Sequence, residues 1–245
     1  VFTLLIPFHN GDYQRLRWTL SFIQYSSEHL PVSEILLCHN GPPMTDEIKL
    51  ALERWNLNKA KLLHTDSKGL GAGYKLGIKN ATQQYVVLSH SDIPFGWSDV
   101  ENFLKIKDSP TFVLGSKAHP LSKAMDRPKN RLMATTIFKL LRKIILGFKF
   151  PGDSQGTLII KTDLAQTLAT DCNHDDYLIS LELVTHHMKS GGRYVEVPVI
   201  LHEEIGPSNV RVVKDGIKML WGMIKLSARI RWRIPRSAGG HYQEF

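Results

Sequence analysis

The amino-terminal half of the chain alternates short β-branched or aliphatic runs with helical patterns, and this alternation constrains the fold more than any other feature. Phe2 to Ile6 reads as a buried strand, closed by a turn over Pro7, Phe8, His9, Asn10 and Gly11. Tyr13 to Tyr25 has a helical pattern. Glu34 to Cys38 is a second apolar strand, ending at His39-Asn40-Gly41-Pro42-Pro43. Thr45 to Trp55 reads as a helix with Thr45 as its N-cap, Lys61 to His64 as a short strand, and Gly71 to Ala81 as another helix. Tyr85 to Ser89 is a strand that ends at His90-Ser91-Asp92. Strands alternating with helices make βαβ units, so the expected class is α/β, a mostly parallel central sheet flanked by helices. Ligands of such sheets bind outside the carboxyl ends of the strands. That rule singles out Pro7 to Gly11, His39 to Gly41 and His90 to Asp92.

The second half is less regular. Phe112 to Gly115, Gly156 to Ile160 and Tyr194 to Val197 read as strands, with helices over Thr162 to Ala169 and Tyr177 to Ser190. Arg127 to Leu146 is a basic amphipathic stretch whose apolar stripe is Ile137, Leu140, Leu141, Ile144 and Ile145. A last helix is expected from Asn209 towards Arg233, with Ile217, Leu220, Trp221, Ile224 and Ala228 on its apolar face. Arg211, Lys214, Lys218, Lys225 and Arg229 share the opposite side, the pattern of an interfacial helix. A helix packed on the sheet has a similar pattern. The tail from Pro235 onward shows little to hold it. The chain therefore reads as one domain over residues 1–208, followed by a basic helix and tail over 209–245, packed on the domain or on a membrane surface.

Charge is unevenly distributed. Arg127 to Lys149 holds seven basic residues and no acidic one, and Arg211 to Arg236 holds eight against Asp215 alone. The remainder has 16 basic and 22 acidic residues, so these two segments carry the whole net charge of +8. Such segments meet anionic lipid, phosphate-bearing substrates or nucleic acid, or form a solvated helix face. Nucleic acid is not expected, because no recognised binding module accompanies them. No apolar run reaches the ~20 residues that span a bilayer. Cys38 and Cys172 give neither metal spacing nor a disulfide framework, which fits a reducing, cytosolic setting.

Several segments, in order, resemble family-2 glycosyltransferases of the GT-A fold. "VFTLLIPFHN" from Val1 is similar to their opening strand and nucleotide loop, and "EILLCHNGPPMTD" from Glu34 to their second strand and acidic loop. "KGLGAGYKLGIKNATQQYVVLSHSDI" from Lys68 resembles the glycine-rich turn, helix and strand that lead to the metal motif. "GDSQGTLIIKTDL" from Gly152 and "GGRYVEVPVILHEEIGPSNVRVVKDGIKML" from Gly191 resemble the dolichyl-phosphate mannosyl- and glucosyltransferase branch. The resemblance implies transfer of a sugar from a nucleotide diphosphate sugar to a polyprenyl phosphate at the cytosolic face of a membrane, with a membrane protein as a further possible partner. A divalent ion, Mn²⁺ or Mg²⁺, would stabilise the leaving diphosphate. The acceptor phosphate is already an anionic nucleophile, so phosphate-binding cations matter more than a general base.

Carried over residue by residue, the resemblance assigns the nucleotide sugar to Pro7, Phe8, His9, Asn10, His39, Asn40, Gly41, Lys68, Gly69, Leu70, Gly71, His90 and Ser91. It assigns the metal to His90 and Asp92, and catalysis to Asp92 with Asp153 and Gln155 on the acceptor side; Lys117 and Arg131, outside the matching segments, are the basic residues expected to approach the acceptor phosphate in catalysis. The chain departs from the family at four places. His90 stands for the first acid of the metal motif, Pro94 for a Gln two residues past it, His39-Asn40 for an acidic pair, and Ser180 for an Asp ahead of Glu182. Each residue also has an ordinary reading. Asn10 and Asn40 suit turns, the backbone N–H groups after Lys68 suit an anion or a plain helix start, and Glu182 and the pair His186-His187 suit a solvated helix face. Glu203 and Glu204 beside His202 are adjacent in sequence and do not share a face as metal ligands would. Two alternatives remain open: a family-2 transferase acting on a soluble or lipopolysaccharide-type glycan, and a degenerate domain that binds a nucleotide or a protein without turnover.

Overall fold

The computed structural model describes residues 2–26, 31–55, 60–123, 129–147, 152–154, 156–202, 212–230 and 239–242. The first half runs β1 (Phe2–Phe8), a single 3-10 turn (Asn10–Asp12), α1 (Tyr13–Ser26), β2 (Val32–Asn40), α2 (Asp46–Arg54), β3 (Ala60–Thr65), α3 (Leu70–Asn80) and β4 (Tyr85–Leu88). The second half runs α4 (Ser98–Leu104), β5 (Phe112–Ser116), α5 (Lys129–Leu146), β6 (Leu158–Lys161), α6 (Thr162–Asp171), α7 (Ile179–Lys189), β7 (Arg193–Pro198), α8 (Val212–Arg229) and β8 (Gly239–Tyr242).

One eight-stranded sheet has the order β3-β2-β1-β4-β6-β5-β7-β8. Only β6 runs antiparallel to its neighbours, β4 and β5. The expected mostly parallel α/β architecture is what the chain adopts. β1 is buried throughout and apolar except at Thr3 because both faces of the sheet are covered. Phe2, Leu4, Ile6 and Phe8 pack with Leu16, Leu20 and Ile23 of α1 on one side. Leu5 packs on the other, with Tyr74 and Ile78 of α3 and Leu183 of α7. A smaller third core joins Leu146 of α5, Leu181 of α7, and Met223 and Leu226 of α8. At the amino edge of the sheet, Glu34 is buried yet held below the usual carboxylate range. Burial alone would raise it, and Lys61 with the hydroxyls of Thr3 and Thr82 reverses that.

Five sequence expectations need correction. The tail is held after all: β8 pairs in parallel with β7, from Arg193 opposite Gly239 to Glu196 opposite Tyr242. A Cβ on Gly240 would lie 2.1 Å from Tyr194 Cε2, so a glycine allows this close approach, at the cost of any apolar periodicity that would announce a strand. Helix α4 was not foreseen; it is short and follows a turn at Pro94 and Gly96. The apolar stripe of α5 splits: Leu141 and Ile145 pack inward with Phe138, while Ile137, Leu140 and Ile144 are exposed. The inward face of α8 is likewise rotated, to Met219, Leu220, Met223 and Leu226, leaving Ile217, Trp221 and Ile224 exposed. Finally, Glu182 and His187 are buried, since α7 lies under α8 with its other face on the sheet.

Candidate functional site

Strands β2 and β3 lie on one side of β1 and β4 lies on the other, so the chain changes direction between β1 and β4. Crevices at such switch points are where open α/β sheets bind ligands. A cleft of about 430 Å³ opens at the carboxyl edge beside β1. Its walls are His9, Asn10 and Gly11 after β1, Asn40, Gly41 and Pro42 after β2, and Lys68, Gly69 and Leu70 at the head of α3. Asp176, Tyr177, Lys218 and Met219 complete it. The volume is in the range of small-ligand sites.

The loops are fixed by their own side chains. His9 Nδ1 accepts from Gly11 N at 2.8 Å, and His9 N donates to Asp12 Oδ2 at 3.1 Å, a reciprocal cap on the turn that starts at Asn10. Asn10 donates through Nδ2 to the Pro43 carbonyl at 3.0 Å, tying the first loop to the second. Its Oδ1 faces His39 Nε2 at 3.0 Å and accepts from Thr45 N at 3.4 Å. Asn40 donates to the Phe8 carbonyl and accepts from Gly69 N, both at 3.0 Å. His39 and Asn40 are therefore buried polar ties between three loops. Pro7, Phe8, His39 and Gly71 lie buried behind the cleft wall.

The glycine-rich turn acts sterically. Gly69 has φ +117, and a Cβ on it would sit 2.1 Å from the Asp175 carbonyl oxygen; one on Gly71 would sit 2.6 Å from that of His174. Three of its N–H groups are turned inward rather than held out to an anion: Gly69 N donates to Asn40 Oδ1, and Gly71 N and Ala72 N donate to the Asp175 carbonyl. The segment from His174 to Asp176 is thus seated on the start of α3, where it supplies cleft wall that the sequence reading lacks.

The loop after β4 adjoins the one after β1. His90, Ser91 and Asp92 are half-buried there and lie outside the cleft lining. Thr19 Oγ1 donates to the Ser91 carbonyl at 2.6 Å and Tyr74 Oη to the Ser89 carbonyl at 2.9 Å. His202 N donates to the Pro94 carbonyl at 2.9 Å, so the segment after β7 borders this loop. Among the described residues no three His, Cys, Asp or Glu side chains gather as a metal cluster. His90 and Asp92 form at most a two-donor site. That is enough for an ion that takes its other ligands from a diphosphate and water.

The reversed polarity of β6 brings a further pair to the same edge. Lys117 follows β5 and Asp153 precedes β6, and the antiparallel pairing places both at one end. Lys117 Nζ lies 3.3 Å from Asp153 Oδ2. Beneath them the Arg142 guanidinium is buried and donates to Ser154 Oγ at 2.6 Å. Burial lowers the Arg142 pKa, and the nearby Asp153, Tyr194 and Glu196 oppose that. Gln155 lies outside the described residues, and so does the Arg131 side chain.

Glu182 organises the cleft wall from inside. It has no exposed surface, and its Oε2 accepts from Asn173 N, His174 N and His174 Nδ1 at 3.0, 2.9 and 2.9 Å. Arg229 of α8 lies 3.7 Å from Oε1. Burial would raise this carboxyl, yet His174 and His186 with the two backbone donors hold it far below the ordinary range. Sequence reasoning missed Asp176, Tyr177, Lys218 and Met219 as cleft residues. Their available signal was the run His174-Asp175-Asp176 ahead of a helix; nothing local marks Lys218, which arrives with α8 from the far end of the chain.

The family model for glycosyl transferase family 2 matches residues 3–168, from β1 into α6. No curated protein matches the sequence. Among solved structures, glucosyl-3-phosphoglycerate synthase from Mycobacterium tuberculosis in complex with phosphoglyceric acid aligns with a TM-score of 0.65 at 14% identity, over 97% of this chain and 81% of that one. The same synthase with Mn²⁺, uridine diphosphate and glucosyl-3-phosphoglycerate aligns at 0.61 and 14%, with the same coverage. Mannosyl-3-phosphoglycerate synthase from Rubrobacter xylanophilus aligns at 0.58 and 14%, over 94% of this chain and 74% of that one. These likenesses establish the GT-A fold. With a family match over more than half its length, and a cleft at the carboxyl edge of its sheet, the chain belongs to glycosyl transferase family 2.

Proposed function

We propose that this glycosyltransferase moves a sugar from a nucleotide diphosphate sugar to a polyprenyl phosphate, working as a peripheral protein at the cytosolic face of a membrane. The donor reading is carried by the cleft at the carboxyl edge beside β1, walled in large part by loops that the resemblance assigns to the nucleotide. The Mycobacterium tuberculosis neighbour, solved with Mn²⁺ and uridine diphosphate, supports the same class of donor and a divalent ion. His90 and Asp92 would hold that ion, which when bound supplies charge stabilisation for the departing diphosphate. Lys117, paired with Asp153 at the adjoining edge, would receive an acceptor phosphate. The acceptor oxygen arrives ionised, and orienting it is the protein's main task.

The lipid part rests on the α5–α8 pair. Met133, Ile137, Leu140 and Ile144 form an exposed apolar stripe on α5, and Ile217, Trp221 and Ile224 form one on α8. Lys139, Lys143, Lys218, Lys225 and Arg229 are exposed on the same two helices. Exposed apolar stripes beside cations suit the headgroup region of an anionic bilayer. No helix among the described residues is long and apolar enough to cross one.

The solved neighbours are named for phosphoglycerate acceptors, which favours a soluble phosphorylated acceptor as the second reading. One assay separates them. Nucleotide diphosphate sugars are first titrated by calorimetry with and without Mn²⁺, on wild type and Asp92→Ala. The donor that binds is then offered with polyprenyl phosphate in anionic vesicles or with 3-phosphoglycerate in buffer. Metal-dependent binding lost in Asp92→Ala, with transfer to the lipid alone, is the expected result. Transfer to phosphoglycerate alone overturns the lipid acceptor, and absence of binding by every donor overturns the donor reading.

A further inference from the structure

Lys218 reaches the cleft from α8, a helix whose sequence pattern speaks only of a surface. We propose that Lys218 is a ligand of the donor's diphosphate and that Asp176 holds its ammonium at the cleft wall until the nucleotide arrives. The proposal deepens the donor reading above and rests on it.

Lys218 Nζ lies 3.2 Å from Asp176 Oδ2, and both residues line the cleft. The two partners are not equally free. Asp176 is anchored independently, because its Oδ1 accepts from Leu178 N at 3.0 Å ahead of α7, and its side chain is only 22% exposed. Lys218 is 68% exposed on a flexible four-carbon stem. The backbone that carries it is fixed. Met219, next in sequence, lines the cleft and packs on the core that Met223 and Leu226 form with α7. The ammonium can therefore turn within the cleft without moving α8.

The other lysine on the wall, Lys68, makes no ion pair among the described residues. Lys68 is thus ready for an anion, while Lys218 is held by a single carboxylate. A nucleoside diphosphate brings more than one negative charge and several acceptor oxygens, so it outcompetes that carboxylate for the ammonium. The N–H groups of Gly69, Gly71 and Ala72 at the head of α3 are already bonded within the protein, which leaves most of the phosphate binding to the cleft's cations.

A plain structural ion pair and a displaceable one differ in sign. If the pair only braces α8, Lys218→Ala and Asp176→Asn weaken ligand binding together. If Asp176 competes with the ligand for Lys218, the first weakens binding and the second strengthens it. Asparagine keeps the oxygen that Leu178 N needs, while Asp176→Asn removes the charge and the acceptor that hold Lys218.

The test titrates UDP, GDP and ADP, and the three matching nucleosides, into wild type, Lys218→Ala, Lys218→Arg and Asp176→Asn, each confirmed folded by circular dichroism. Wild type binds one diphosphate. Lys218→Ala lowers that affinity about tenfold and leaves the nucleoside unchanged, Lys218→Arg restores most of it, and Asp176→Asn tightens the diphosphate severalfold. An unchanged diphosphate affinity in Lys218→Ala overturns the proposal. So does an equal loss for nucleoside and diphosphate, or a loss in Asp176→Asn. Wild type that binds none of the three brings down the donor reading itself, an outcome distinct from a wild type that binds and a lysine that does not matter.

Discussion

His39 and His64 face each other across β2 and β3 with their Nδ1 atoms 2.9 Å apart and their rings stacked. The surrounding bonds fix who donates. Asn10 Oδ1 can only accept, so His39 Nε2 carries a proton. His39 is held neutral, its pKa pushed down to about 4 by burial and then by His64 and His9, so its Nδ1 accepts from His64 Nδ1. His64 Nε2 in turn lies 3.2 Å from the Asp66 carboxylate. Nitrogen-detected NMR at neutral pH should find His39 as the Nε2–H tautomer. In His64→Gln its titration should move up from about 4, yet stay below 6.5 because burial, the larger cause, persists. An unmoved or fully normal titration contradicts this account.

The pH dependence of stability should separate two buried groups of opposite sign. His39 is lowered from 6.5 to about 4, so between those values the unfolded chain binds the proton and the native one does not. Its contribution is complete above 6.5 and is lost as pH falls towards 4, at up to about 1.4 kcal/mol per unit. Burial raises Asp99 from 3.8 to about 6, so there the native state holds the proton, and stability is lost as pH rises through that window. Relative to wild type, His39→Gln should become less sensitive to acid between pH 4 and 6.5. Asp99→Asn should shift the opposite way over pH 4 to 6. Denaturant melts at pH 4, 5, 6 and 7 read both differences, and equal slopes in the variants reject the assignment.

Gly71→Ala should cost about 2 kcal/mol or more and also weaken nucleotide binding. The added Cβ would stand 2.6 Å from the His174 carbonyl oxygen and 2.8 Å from the Asp175 carbonyl carbon, backbone that cannot turn aside. The same residues carry the cleft wall at Asp176. Urea melts and a nucleotide titration on one sample check both parts. A variant as stable as wild type means that the loop is not seated on α3.

Glu182→Gln should destabilise by about 3 kcal/mol, because a buried carboxylate surrounded by donors is replaced by a neutral amide that brings two donors of its own. Arg229→Ala should cost under about 1 kcal/mol, since the guanidinium is about half exposed and its attraction is screened. Thermal melts of the two variants give the order. The reverse order would place the weight of the network on α8 rather than on the loop at Asn173 and His174.

What was legible in the sequence follows physical range. Strands β1, β2 and β4 announce themselves because both faces are covered and each carries an uninterrupted apolar run, Ile35 to Cys38 in β2. The loops at His9, Asn40 and Lys68 could be placed because each directly follows a strand or opens a helix. Lys218 and Asp176 could not be placed, since their meeting depends on how α8 packs over α7, and no local pattern encodes that. The helical stripes of α5 and α8 were seen as apolar, but not which part is buried. Side chains of both stripes satisfy the same periodicity, and only the partner helix decides between them.

The strand order also bears on how the molecule comes into being. β1, β2, β3 and β4 are neighbours in the sheet and are complete by Leu88, so every pairing among them is available once that residue has left the ribosome. The antiparallel insertion of β6, the Lys117–Asp153 edge and the α8 wall all wait for later chain. Synthesis thus runs in the order of the cleft, from the loops after β1 and β2 to the residues that close over them. A nascent chain stalled past α4 would already hold the floor of the cleft while lacking its α8 wall, and chaperones would meet it with its β4 edge still unpaired.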